Sequence, residues 1–425
     1  MQNNKFLSFF IMAASLSLGT HSLAQSTDTL QAVTHPSRLV IGGYGEATYQ
    51  YNMYSDNFNR YKFPTKYADD QGFGRVDIPH AVLMLGYDFG QGWSFGTEIE
   101  FEHGGVEAAV EIEDDEAGEF EKEIERGGEV ALEQFWIQKS WSRAANLRLG
   151  HIVVPVGATN NAHLPTEYYG VFRPEGEFTI IPCTWHETGV SFWGRKGAWR
   201  YELQLIPALN SSMFDKSSWA NGASASAYEF RSANNMAVAG RVDCYAIPNV
   251  RLSASGYVGN TFDNDILTYA GSRYADVKGT CAIGSFDMLG RWGHFTLRAS
   301  VLGGYLGDAY MISAYNSSLD NSSNSPYAHT MVGEKAYALG CEMGYTLGQK
   351  WTPFVRMDAY DSYIPAQGQT DYQWTARQCV ALGFNYRPIA EIIIKAEAGY
   401  RNLAPQYNDE PWVALGITWA GFFKK

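Results

Sequence analysis

Large apolar residues alternate with small or polar ones along much of this 425-residue chain, most sharply at its end. In residues 412–423 (Trp-Val-Ala-Leu-Gly-Ile-Thr-Trp-Ala-Gly-Phe-Phe), Val413, Leu415, Ile417, Trp419 and Phe423 share one parity, and Ala414, Gly416, Thr418 and Ala420 the other. A period of two marks a β-strand with unlike faces. The pattern recurs upstream. Trp199, Tyr201, Leu203 and Leu205 alternate with Arg200, Glu202 and Gln204; Val250, Leu252, Ala254 and Val258 with Arg251, Ser253, Ser255 and Tyr257. Phe295, Leu297, Ala299 and Val301 alternate with His294, Thr296, Arg298 and Ser300; Ile392, Ile394 and Ala396 with Glu391, Lys395 and Glu397. Within 75–87 and 130–140 the parity is less clear, and those faces stay open.

Between these segments, short and long connections take strict turns. Short ones fall at 88–92, 142–146, 195–198, 247–249, 289–292, 347–350 and 387–390, and long ones at 53–72, 104–129, 158–183, 209–234, 260–278, 303–334, 361–375 and 401–410. Seven short and eight long connections join sixteen strands. An even strand count, with tight turns at one end and long loops at the other, predicts an all-β fold: a 16-stranded antiparallel transmembrane β-barrel over residues 38–423. A soluble sandwich has no reason to alternate so regularly. A charge facing the bilayer midplane costs ~2–4 kcal/mol, so the polar faces are expected to line the interior. A barrel this wide cannot fill its lumen with its own side chains and encloses water. The expected activity is passive diffusion of small hydrophilic solutes. The alternative is a surface binding or structural barrel whose lumen is plugged by its loops.

The N-terminus agrees with export. Lys5 precedes an apolar stretch from Phe6 to Leu18, and Ser22-Leu23-Ala24 fits signal-peptidase cleavage. Residues 1–24 are therefore expected to be a signal peptide and 25–37 an N-terminal periplasmic segment, which places the chain in the cell outer membrane. Past this stretch no apolar run approaches the ~18 residues of a helical span. Aromatics make up 15% of the chain, as interfacial girdles require. The five cysteines, at 183, 244, 281, 341 and 379, show no metal-binding or redox spacing. Net charge is −13, of which −9 comes from residues 104–129, where eleven Asp/Glu face Lys122 and Arg126. That stretch reads as a solvated acidic outer loop. Lipid and lipopolysaccharide are the expected surroundings, and nothing in the sequence implies a cofactor, a metal ligand set or a nucleic-acid partner.

The candidate chemistry lies on the inward parity. Arg148, Arg200, Arg241, Arg251, Arg298, Arg356, Arg377 and Lys395 project inward. Arginine and lysine in a pore favour anions, and guanidinium forks suit oxyanions. The inward acids are nearly as many: Glu98, Glu100, Glu102, Glu202, Asp243, Asp358 and Glu397. The pairs 200/202, 241/243, 356/358 and 395/397 sit two apart on one face, so mutual neutralisation competes with a net anion track.

Residues 149–157 (Leu-Gly-His-Ile-Val-Val-Pro-Val-Gly) resemble a strand-to-loop signature of the phosphate-selective porin O and P family. The flanking Glu133-Gln-Phe-Trp-Ile-Gln, Phe172-Arg-Pro174 and Thr188-Gly-Val-Ser-Phe-Trp-Gly194 follow in the family's order, and 75–102 is similar to its opening hairpin. The resemblance spans most of 40–210. It implies a sixteen-stranded homotrimer whose third long loop, here 158–183, folds inward as a constriction and presents Arg173 and His163 to the pore. It also implies a mild preference for anions, with phosphate and other oxyanions as candidates. The chain departs from the family at Val153-Val154, where a basic residue precedes Pro, and at the single Arg75. An enzymatic reading fares worse: His186 and Thr188 have the two-residue spacing of a barrel hydrolase, but no partner is identifiable, and no hydrolase motif occurs. No catalytic residue is assigned.

Overall fold

The computed structural model describes residues 38–108, 111–112, 122–123, 126–224, 233–262, 273–319 and 328–424. The expected signal peptide (1–24), the segment 25–37 and most of the acidic stretch lie outside the described residues.

Alternation becomes sixteen barrel strands. They are β1 (Leu39–Asn52), β2 in two pieces (Phe73–Asp77 and Ala81–Gly90), β3 (Trp93–Ala108), β4 (Arg126–Ser142), β5 (Ala145–Val153), β6 (His186–Lys196), β7 (Trp199–Pro207) and β8 (Met236–Cys244). There follow β9 (Val250–Asn260), β10 (Thr280–Trp292), β11 (Phe295–Leu306), β12 (Lys335–Tyr345), β13 (Trp351–Ile364), β14 (Ala376–Ile389), β15 (Ile392–Asn402) and β16 (Glu410–Lys424). Each strand pairs antiparallel with its sequence neighbours. The ring closes where β1 pairs with β16 from Ile41↔Lys424 to Asn52↔Trp412, its other edge being taken by β2. Beyond the wall, β3 and β4 continue pairing up to Ala108↔Arg126, and Glu111–Ile112 pairs with Lys122–Glu123, so the acidic connection begins as a hairpin.

Turn chemistry explains the short connections. Gln91 (φ 55°) and Gly92 (φ 78°) take the left-handed conformations that a two-residue hairpin requires. Two turns lie later than expected: β14 runs to Ile389 and the chain reverses at Ala390 and Glu391 instead of within 387–390. β10 runs through 289–292 to Trp292, and the chain reverses at Gly293 (φ 61°) and His294, with Trp292 stacked on Phe295 at 6.1 Å.

The wall has the two faces that the parity predicts. Leu203, Leu382 and Leu415 are 57–60% exposed, whereas Arg200, Gln204 and Lys395 are at most 2% exposed. Five of the six exposed tryptophans (Trp93, Trp141, Trp199, Trp292 and Trp351) border short turns, forming an aromatic belt at that rim.

Both strands with less clear parity contain an irregularity. In β2, residues 78–80, including Pro79, oppose only Glu46 and Ala47, between the pairs Thr48↔Asp77 and Gly45↔Ala81. In β4 the register jumps from Glu98↔Gln134 to Ile99↔Leu132, leaving Glu133 as an extra residue. These are β-bulges, and each reverses the alternation beyond it. Leu132 and Phe135 therefore both face out, while Glu133 and Gln134 are both buried.

The interior is drier than a water-filled cylinder. Residues 154–185 fold inward with a short helix α1 (Glu175–Ile180). Residues 208–224 and helix α2 (Ala309–Asn316) enter from the long-loop end. Ile180, Trp185, Leu209, Phe214, Trp219 and Ile312, none more than 1% exposed, form a continuous apolar core there with side chains of the wall. Trp219 closes it by donating Nε1–H to Gly333 O at 3.0 Å.

Ile417, 48% exposed near the middle of β16, is expected to tolerate Val but not Arg. Ile417→Arg should cost about 2–4 kcal/mol, read as the shift in urea midpoint on refolding into lipid vesicles. A midpoint unchanged from wild type would show that this face does not meet lipid.

Candidate functional site

The inner wall from β7 to β16 is a ladder of ion pairs. Residues two apart share a face, and side chains directly opposite on neighbouring strands lie close together. Arg200 meets Glu202 at 2.7 Å and Asp243, its cross-strand neighbour, at 3.6 Å. Arg241 bridges Asp243 and Asp287, each at 2.8 Å, and Arg251 reaches Asp287 at 3.1 Å. Arg298, Glu342 and Arg356 form one row across β11, β12 and β13, with Arg298–Glu342 at 2.5 Å. Arg356 also meets Asp358 at 3.3 Å and Glu397 at 3.6 Å. Near the long-loop end Glu410 collects Arg60 (2.9 Å), Arg401 (2.5 Å) and Arg377 (3.9 Å).

Much of this wall grips the inward loop. Lys395 Nζ donates to the carbonyls of Pro165, Tyr168 and Gly170 at 2.6, 3.1 and 2.8 Å. Arg356 Nη1 donates to Phe172 O and Arg241 Nη1 to Gly157 O. In the other direction, Glu342 accepts from Tyr169 N and Glu397 from Val171 N, each at 2.9 Å. Arg401 ties Glu175 at the head of α1 (2.5 Å). The backbone of a buried loop needs partners for its N–H and C=O groups, and the charged wall supplies them.

The Pro-Val-Gly element acquires a physical meaning here. Gly157 has φ +84°, and a Cβ there would sit 2.3 Å from Glu177 Oε1. Glu177 accepts Ala158 N at 3.0 Å and Thr159 N at 2.6 Å, clamping the start of the loop to α1. Burial pushes the Glu177 carboxyl up to about 7, although these N–H groups pull the other way.

All nine expected basic residues lie inside or on the inner face, but in different roles. Arg148 stacks over Trp136 (4.5 Å) and donates Nε–H to Gln138 Oε1. Arg377 donates to Tyr61 OH at 3.0 Å. Lys395 is fully buried, and its three donors are spent on loop carbonyls. Arg173 is 6% exposed; its Nη2 reaches Thr184 Oγ1 at 3.2 Å and His163 O at 3.5 Å, so it braces the base of the loop instead of facing open lumen. Arg298 is the most accessible of the strand arginines in the ladder, with 24% of its side chain exposed. It borders an open-sided cavity of about 70 Å³ between loop and wall, together with Arg251, Arg356, Glu167, Asp287 and Glu342.

The opposite arc of the ring, β1 to β4, is acidic. Glu46, Glu98, Glu100 and Glu133 are 1–7% exposed. His80 Nδ1 lies 2.5 Å from Glu100, and Tyr168 OH reaches Glu46 at 3.4 Å. His163, from the loop, is held up at about 9: burial opposes its charge, but Glu98 and Glu133 outweigh that. Sequence reading missed Glu46, Glu133, Glu167, Asp287, Glu342, Arg401 and Glu410. Inward parity marks Glu46 and Asp287; nothing local marks the loop and bulge positions. The His186/Thr188 pair does have a partner, since His151 lies 2.8 Å from Thr188 Oγ1 and 2.5 Å from His186 Nδ1. Thr188 faces outward on the exposed side of β6.

No family model matches the chain. It is similar to an uncharacterized protein of Aquifex aeolicus (strain VF5), 27% identical over 232 residues, which cover 53% of this chain and 45% of that protein. The match thus spans less than half of the relative's length. Among solved structures, the anion-selective porin from Comamonas acidovorans has TM-score 0.53 at 10% identity, covering 90% of this chain and 99% of that one. The outer membrane channel DcaP of Acinetobacter baumannii has TM-score 0.53 at 14% identity, covering 90% and 97%. Salmonella typhi OmpF, in complex with daunomycin, has TM-score 0.53 at 11% identity, again covering 90% and 97%. At these identities the likeness establishes a shared fold.

Glu177 generates a pH-dependence. Its folded value of about 7 is above the ordinary 4.5, so its contribution is complete below about 4.5 and is lost as pH rises through about 7. The loss amounts to at most about 3 kcal/mol. Glu177→Gln keeps an acceptor but cannot ionise, and is expected to flatten the urea midpoint measured in detergent at about pH 5 and about pH 8. Equal pH slopes in the two proteins would reject this role.

Proposed function

We propose that the chain is an outer-membrane channel that admits small hydrophilic solutes by passive diffusion, with 158–183 as its constriction loop. What carries this reading is the open-sided cavity between that loop and the wall, lined by both signs of charge and enclosed in a barrel with an apolar exterior. A lumen offering several weak sites lets solutes both enter and leave. The structural neighbours include a protein named as an anion-selective porin and one named as an outer membrane channel.

The finer reading is a mild preference for anions, oxyanions such as phosphate among them. Arg251, Arg298 and Arg356 line the cavity, and Arg298, the most accessible of them, turns its guanidinium fork toward it. Glu167, Asp287, Glu342 and Asp358 line it too and cancel most of that charge, so we assign only a slight preference. We take Arg298, rather than Arg173, as the filter residue, because Arg173 is buried at the base of the loop and bonded to Thr184. We further infer export by the N-terminal signal and assembly as a homotrimer, the latter from the resemblance in the sequence alone.

A second reading has a specific observation behind it. The apolar core around Trp219 and Ile312 occupies one side of the long-loop end, as in a barrel sealed by its own loops.

Single-channel recording on the full-length protein in planar bilayers separates the two. A channel gives steady open current, and Arg298→Glu is expected to lower the anion-over-cation permeability ratio, read from the reversal potential in a salt gradient. A steady current with the same reversal potential in wild type and variant would remove Arg298 as the filter. Absence of any open current would favour the sealed barrel.

A further inference from the structure

The acidic arc contains a group of side chains that the channel reading does not use. Glu98 comes from β3, Glu133 from the bulge of β4 and His163 from the inward loop. They are 2%, 1% and 1% exposed. One donor atom from each lies within 4.8 Å of the other two. Glu98 Oε2, Glu133 Oε1 and His163 Nε2 are buried atoms without a hydrogen-bond partner; Nε2 and Glu98 Oε2 are 3.8 Å apart, an ion-pair distance too long for a hydrogen bond.

The far sides of the same groups are tied down. His163 Nδ1 sits 3.2 Å from Asn160 O. A carbonyl only accepts, so Nδ1 carries a proton and Nε2 is turned toward the carboxylates. That orienting contact to a backbone carbonyl is the usual support of a metal-bound imidazole. Asn160 is itself fixed, donating Nδ2 to Val156 O at 3.0 Å and Pro182 O at 3.2 Å. Tyr44 OH donates to Glu133 Oε2 at 2.7 Å, which leaves Oε1 as the free oxygen.

Charge argues the same way. Four buried carboxylates (Glu46, Glu98, Glu100 and Glu133) share this region with Arg173, His80 and His163. Buried carboxylates that outnumber the cations beside them are costly, and a dication is a compact way to offset the remainder. Two carboxylate oxygens and one imidazole nitrogen match the ligands of Zn²⁺ and its neighbours, and are unlike the all-oxygen sets of Ca²⁺ or Mg²⁺. Bond lengths of ~2.0–2.2 Å require the three groups to close in by roughly 1 Å, a movement that side-chain torsions can supply.

We propose that Glu98, Glu133 and His163 bind a divalent transition-metal ion of the Zn²⁺ class, which fastens the inward loop to β3 and β4. The competing occupant is a proton on Nε2, giving an imidazolium that pairs with the two carboxylates and binds no metal. The site is independent of whether the barrel conducts.

The test is calorimetric titration of Zn²⁺ into full-length, chelator-treated protein in detergent, with metal content counted after desalting in excess Ca²⁺. Wild type is expected to retain one Zn²⁺ per chain, with one imidazole nitrogen in its X-ray absorption spectrum. His163→Ala and the isosteric Glu98→Gln should lose it, whereas His80→Ala should keep it. Heat-modifiable migration on gels verifies that each variant is a folded barrel. Wild type without stoichiometric Zn²⁺ would establish the imidazolium instead. Retention by both His163→Ala and Glu98→Gln would place the ion elsewhere, the group His80, Glu100 and Glu102 included, and overturn the assignment.

Discussion

A backbone amide facing hydrocarbon has no water to bond with, so a sheet crossing a membrane has to close on itself. Here closure is the β1–β16 ladder from Ile41↔Lys424 to Asn52↔Trp412. The remaining architecture answers to it. Once the ring is closed, each strand has one lipid-facing and one inward face, and charged residues can be accommodated only within. The loops that enter the lumen then displace water from those charges. An arginine such as Arg241, 1% exposed, persists there because Asp243 and Asp287 lie 2.8 Å away. Removing one carboxylate would leave a buried charge uncompensated, so the ladder is held together as a network and not as a set of separate surface pairs.

The wall was legible because alternation is local. Parity placed all eight strand-borne basic residues on the inner face, and the regular change between short and long connections supplied the strand number. Partners were legible only where they too are local. Arg200/Glu202 and Arg241/Asp243 pair two residues apart, as read, but Lys395 and Glu397 do not pair with each other: the lysine takes three loop carbonyls, and the glutamate takes Val171 N and Arg356. The row Arg298–Glu342–Arg356 depends on register across three strands, and no single stretch of sequence encodes that.

Connections were harder to read than strands because composition alone does not say where a loop goes. Residues 208–224 carry Leu209, Phe214 and Trp219, which are too apolar for a segment lying in water. Their burial with Ile312 shows that the long loops share a core inside the barrel mouth. Large apolar residues in a long connection were the available signal. The loop 158–183 gave another: Gly157 is needed where the chain turns inward past Glu177, and the Pro-Val-Gly resemblance marked that point.

The two places where parity failed are also the two that build the acidic arc. β3 is regular there and directs Glu98 and Glu100 inward; the bulges on either side of it bring in His80 from β2 and Glu133 from β4. A bulge interrupts the ladder and re-aims a side chain, so retaining one on each flank of the same strand concentrates carboxylate and imidazole groups in one volume. The loop fits between this arc and the ion-pair ladder with matching polarity. It turns His163 and Arg173 toward the carboxylates, and the carbonyls of 165, 168, 170 and 172 toward Lys395 and Arg356. Reversing the loop would take His163 and Arg173 away from the carboxylates of the acidic arc and the loop carbonyls away from Lys395 and Arg356, so the uneven distribution of charge around the ring favours the orientation seen.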